Sequence, residues 1–216
     1  MLRTKVLGFF LGASLLCAGG VAQAGEAWDF TTPGTSFSNG SWDFGASFLV
    51  NTNVTATGLG YYADPTTGTV ASNPVALYQC SNVNCVGGTG TLIASATVTN
   101  VYPEYGHFRF VTITPVNLIA GDWYQVDGIS NVQNYTWNDP GFFTDPTITY
   151  VPYSDTWLST TTVQFLNYVQ GDVSDGYWGP DVFLGPPSFA TPEPGTLALL
   201  GTALVGLGIL RRRSAR

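Results

Sequence analysis

Between Tyr135 and Trp157 the chain reads YTWNDPGFFTDPTITYVPYSDTW, a proline-interrupted stretch in which Trp137, Phe142, Phe143, Tyr150, Tyr153 and Trp157 are interleaved with Asn138, Asp139, Asp145 and Asp155. An aromatic ring offers a flat apolar face to a sugar, and carboxylate or amide oxygens beside it accept the sugar's hydroxyls. The residue types therefore point to a carbohydrate site built from Tyr135, Trp137, Asp139, Tyr153 and Trp157. The competing reading is packing, because β-sandwiches bury many aromatic side chains.

A second candidate is the acidic run Asp172-Val173-Ser174-Asp175-Gly176, with Asp181 not far on. A hard cation takes several carboxylate and carbonyl oxygens, so Asp172, Asp175 and Asp181 are candidate calcium ligands. The alternative is a solvated acidic loop. In His107-Phe108-Arg109-Phe110 a strand's period of two puts the only histidine and Arg109 on one face, where they would hold an anion or satisfy nearby carboxylates.

Nucleophile-elbow, P-loop, HExxH and EF-hand patterns are absent. Nothing in the spacing brings two carboxylates to the ~5 to 9.5 Å that glycoside hydrolysis needs. The expectation is a protein without catalytic activity and without a cofactor, calcium being the one candidate; a carbohydrate-binding module is the alternative and a glycan-active hydrolase trails it.

Thirteen of the fourteen acids lie between Gly25 and Ala190, but of the seven bases only Arg109 does, giving that stretch a formal charge of −12. A nucleic-acid footprint is excluded by that sign. The stretch has no lysine and is rich in Gly, Thr, Ser and Asn, which argues against a cytosolic enzyme.

The elements that must position these residues are short β-prone runs between turn signals: 44–50, 54–62, 75–80, 91–98, 107–114, 123–129, 147–151 and 161–169. Leu92, Ala94, Ala96 and Val98 alternate with Ser95, Thr97 and Thr99, and Tyr124 and Val126 with Gln125 and Asp127, the pattern of half-buried strands. Pro103-Glu104-Tyr105-Gly106 and Gly121-Asp122 read as turns. The expected fold is all-β, a single jelly-roll-like β-sandwich over 25–190.

The two ends read differently. Residues 1–24 open with Arg3 and Lys5, continue through an apolar run from Val6 to Leu16, and close on Ala22-Gln23-Ala24, the layout of a secretory signal peptide. Large Leu16 before Cys17 argues against lipidation there. With Cys17 removed, Cys80 and Cys85 form an even pair in an oxidising compartment, and a disulfide between them is expected.

At the other end the uncharged run from Gly195 to Leu210 would span ~24 Å as a helix against a ~30 Å bilayer core, and Arg211, Arg212 and Arg213 follow at once. The positive-inside rule places those arginines in the cytoplasm. Pro192 and Pro194 keep the preceding segment extended and accessible.

Pro192-Glu193-Pro194, a short Gly-rich apolar helix and the terminal arginine cluster together resemble the PEP-CTERM sorting signal. The resemblance implies a sorting tail at 191–216, a Gram-negative host making extracellular polysaccharide, and recognition by the membrane protease exosortase. The implied partners are that protease, the secretion and signal-peptidase machinery, the inner membrane in passing, and polysaccharide. The protein would be held at the inner membrane until processing and then released to the cell surface or matrix.

The succession Trp42-Asp43-Phe44-Gly45, Thr57-Gly58-Leu59-Gly60-Tyr61-Tyr62, Val75-Ala76-Leu77-Tyr78, Phe108-Arg109-Phe110 and Pro115-Val116-Asn117-Leu118 further resembles a domain of unknown function of secreted bacterial proteins. The segment from Gln79 to Gly90, which carries the cysteine pair, departs from that pattern.

Overall fold

The computed structural model describes residues 25–64, 72–131, 135–150, 156–169 and 177–185. The expected signal peptide, sorting motif and apolar C-terminal helix lie outside them, as do Tyr153, Asp172 and Asp175. Among the described residues no helix is long and apolar enough to cross a membrane.

In chain order the strands are β1 (Gly25–Glu26), β2 (Trp28–Asp29), β3 (Thr35–Phe37), β4 (Trp42–Val50), β5 (Val54–Tyr62), β6 (Asn73–Cys80), β7 (Gly90–Val98), β8 (Glu104–Tyr105), β9 (Phe108–Leu118), β10 (Trp123–Ile129), β11 (Tyr135–Trp137), β12 (Phe143–Thr144), β13 (Ile148–Tyr150), β14 (Thr156–Ser159), β15 (Tyr177–Trp178) and β16 (Pro180–Gly185). One 3₁₀ turn at Val83–Cys85 is the helical element among the described residues.

The fold is all-β. One sheet runs β1-β16-β5-β9-β8; the other runs β13-β4-β10-β6-β7, with β14 pairing a second part of β4. β3, β11 and β15 form a small third sheet, and β2 pairs β12. Between the two large sheets Ala46, Phe48, Val50, Val75, Leu77, Tyr124 and Val126 meet Val54, Ala56, Leu59, Tyr61, Val182 and Leu184 in one core. Fully burying each large apolar side chain contributes ~1.5–3 kcal/mol, which fixes the register of the central strands.

Three departures from the sequence expectation have local causes. The β6–β7 register slips between Leu77 and Tyr78, so that Ile93 is the extra residue. Downstream the alternation Ala94, Ala96, Val98 holds, but upstream it inverts: Ile93 packs on the core and Leu92 is 54 % exposed. Residues 161–169 are not a strand. Their polar groups bond to side chains instead: Gln164 N–H donates to Asp43 Oδ2 (2.8 Å), Leu166 N–H to Gln125 Oε1 (3.2 Å), and Leu166 C=O accepts from Gln125 Nε2 (3.0 Å).

This strap lies over the outer face of the β4–β10–β6 sheet. Gln125 and Asp127, expected on a half-buried strand's polar side, are consequently fully buried. Cys80 and Cys85 form the expected disulfide, with Cα atoms 5.1 Å apart, and the loop it closes holds the strap through Gly87 N–H donating to Asn167 O (2.6 Å).

Candidate functional site

Alternation along β4 puts Trp42 and Phe44 on one face, and the β14 register sets Trp157 opposite Phe44. β11, paired to β3, brings Tyr135 over the same end of the sandwich. These four side chains line a cleft of about 90 Å³. Trp42 and Trp157 meet edge to face with centroids 5.0 Å apart, and Phe44 and Tyr135 tilt together at 4.5 Å.

Asn39 fixes two of the walls. Its Oδ1 accepts from Tyr135 OH (2.9 Å) and from Trp42 Nε1 (3.1 Å), and its backbone carbonyl also accepts from Trp42 Nε1 (2.7 Å). Gly40 is required beside it: φ is +62°, and a Cβ there would lie 2.9 Å from Trp42 Nε1. Burial raises the Tyr135 phenol, against the lowering effect of its bond to Asn39, so the hydroxyl stays a donor at neutral pH.

Trp157 is held differently. Its carbonyl accepts from Tyr168 OH (2.8 Å), but its indole N–H is buried and meets no acceptor among the described residues. A buried unmade hydrogen bond of this kind costs about 1–3 kcal/mol.

Of the residues singled out for sugar binding, the structure brings Tyr135 and Trp157 together. Trp137, 37 % exposed, joins them through Phe37, whose ring lies 5.2 Å from Tyr135 and 6.2 Å from Trp137, so an aromatic ribbon runs from Trp137 to Phe44. Asp139 is buried and structural in its bonding, accepting from Gly34 N–H and from Thr136 Oγ1 (2.6 Å). Tyr153 is outside the described residues. Trp42 and Phe44 were missed as site residues. Their same-face spacing on a β-prone run next to Gly40-Ser41 was the available signal.

Asp181 sits on interior strand β16, fully buried, with Oδ1 accepting from Val182 N–H (2.6 Å). Burial first, and then the charges of Glu26 and Asp29, hold its carboxyl well above the usual range. Asp172 and Asp175 lie outside the described residues. Among the described residues no group of three or more His, Cys, Asp or Glu side chains could hold a metal ion.

His107 and Arg109 do not share an anion site. His107 Nδ1 lies 2.7 Å from Asp29 Oδ1 with its ring stacked on Phe30 at 4.4 Å, whereas Arg109 pairs with Glu104 (2.9 Å) and donates to Tyr102 O (2.9 Å). Each of the two side chains is already engaged by its own carboxylate.

Residues 190–213 match the family model of the PEP-CTERM protein-sorting motif. No curated protein matches the chain. The chain therefore carries a PEP-CTERM sorting signal, which directs export and exosortase-dependent, membrane-associated sorting to the surface.

Proposed function

We propose that the PEP-CTERM signal delivers a non-catalytic β-sandwich that associates with extracellular polysaccharide through the cleft of Trp42, Phe44, Tyr135 and Trp157. The observation that carries this reading is the buried Trp157 indole N–H, which meets no acceptor among the described residues, beside the three other aromatic walls of the cleft. A sugar ring supplies both complements, an apolar C–H face for the rings and hydroxyl oxygens for the indole. The ribbon through Phe37 to Trp137 supports a chain of sugar units over a single one. Among the described residues no carboxylate lines the cleft, which favours holding over hydrolysis.

A glycan array probed with the mature exported protein tests this, with Trp157→Phe beside it. The variant keeps a ring and removes the N–H. It should bind about tenfold more weakly, the equivalent of ~1.4 kcal/mol, while its melting temperature stays within a few degrees. Release of reducing sugar by the wild-type protein would contradict the non-catalytic part of the reading.

A further inference from the structure

The opposite sheet carries a second built concavity. β5 is an interior strand, yet both of its ladders slip at Thr57. Against β16 the pairing passes from Phe183–Gly58 to Leu184–Ala56, leaving Thr57 extra. Against β9 it passes from Gly58–Thr112 to Ala56–Val116, leaving Ile113, Thr114 and Pro115 opposite Thr57. Irregularity on both edges of one residue forfeits ladder hydrogen bonds and bends the sheet, a device found beside binding sites.

A glycine and aromatic rings line the bend. Gly58 forms the floor; a Cβ there would lie 3.1 Å from Phe183 Cβ and 3.2 Å from Val111 O. At Gly60 a Cβ would fall 2.4 Å from Phe110 Cε1, so the glycine gives the ring its place. Phe110, Phe183 and Tyr105 form the walls, with Phe183 5.1 Å from each of the other two rings. Thr57 and Thr112 complete the lining of a cavity of about 180 Å³; the Thr57 hydroxyl donates to Phe183 O (3.3 Å), which leaves its oxygen to accept. Tyr105 is 49 % exposed and Thr112 is open to solvent.

We propose that this cavity is a second saccharide-binding site, which takes one pyranose ring against Phe110, Phe183 and Tyr105 with its hydroxyls on Thr57 and Thr112. The lining fixes the class of ligand. Among the described residues no charged side chain lines it, which argues against selection of an ion. Its combination of aromatic faces and neutral hydroxyls matches a molecule with an apolar face and a hydroxyl edge. The site is built from β5, β8 with Pro103 just before it, β9 and β16, without any residue of the Trp157 cleft. It therefore stands or falls apart from the reading above; only the consequence, a domain able to bridge two glycan chains, rests on both.

The test is an NMR titration of the mature exported protein with methyl β-D-glucopyranoside and methyl β-D-galactopyranoside, following assigned amides and ring protons. Saturable shifts are expected at Gly58, Thr112 and Phe183 with at least one of them. Thr112→Arg, at an exposed position, should fill the cavity and abolish those shifts without altering any seen at the Trp42 and Trp157 indoles. Tyr105→Ala, on the sheet-edge hairpin, should weaken binding about fivefold and serves if the arginine variant fails to fold. Absence of saturable shifts with both pyranosides overturns the proposal, as do shifts that survive Thr112→Arg. Saturation by para-cresol alone, mimicking a protein side chain, also overturns it. Shifts confined to Trp42 and Trp157 would sink this site and leave the first cleft standing.

Discussion

Asp43 and Asp127 are buried under the strap, on the same outer face of neighbouring strands. Desolvation pushes the Asp43 carboxyl up to about 7, against the lowering effect of the Gln164 N–H, and holds Asp127 well above the ordinary carboxylate range, with the charge of Asp43 adding to it. Both groups ionise near pH 4 in the unfolded chain. Between about pH 4 and 7 the folded state thus binds protons that the unfolded state has released, and stability falls as pH rises through that window. Below it the contribution is fully present. Thermal melts at pH 4.5 and 8 should give the higher melting temperature at pH 4.5, and Asp127→Asn, neutral at both, should narrow the gap by raising the pH 8 value. An unchanged gap in the variant would contradict this account. None of this was legible in the sequence, where Asp127 read as the solvated side of an alternating strand. Asp139 misled for the same reason: its bond to Gly34 spans 105 residues, beyond the reach of local pattern.

At the scale of elements, strands whose apolar period is strong were legible to the residue: β5 and β10 have the expected bounds. The strap was not, because Thr161, Thr162, Val163 and Phe165 carry strand-like composition while the hydrogen bonds that hold the segment come from Gln125 and Asp43 side chains. Gln125→Ala removes both bonds to Leu166 and should destabilise the domain by ~2–3 kcal/mol in urea unfolding. A loss below ~0.5 kcal/mol would mean the strap is held by packing alone. The disulfide was legible from cysteine count and compartment. Alkylation of the denatured, unreduced protein should label neither Cys80 nor Cys85, and replacing both with serine should remove ~2 kcal/mol, the small loop placing it at the lower part of the usual range.

At the scale of the whole molecule, sorting and binding are written in different parts of the chain. The PEP-CTERM motif at 190–213 is read from order and charge, needs no tertiary contact and was legible at once. Reversing Arg211, Arg212 and Arg213 to Glu inverts the charge asymmetry at the end of the apolar run and should impair retention at the membrane. Mass spectrometry of the mature surface protein from an exosortase-bearing host should recover no peptide beyond about Gly195; an intact 197–216 peptide would contradict processing. The cleft draws Trp42 and Phe44 from one strand, Tyr135 from another sheet and Trp157 from a third segment, so only its later half stood out as an aromatic run. Its most direct test is the Trp157 indole N–H signal during titration with the strongest array binder. The account predicts a saturable downfield shift of that proton as it gains an acceptor, tracking the binding isotherm. An indole signal that stays fixed while the glycan saturates the protein, or an array without binders, would contradict it.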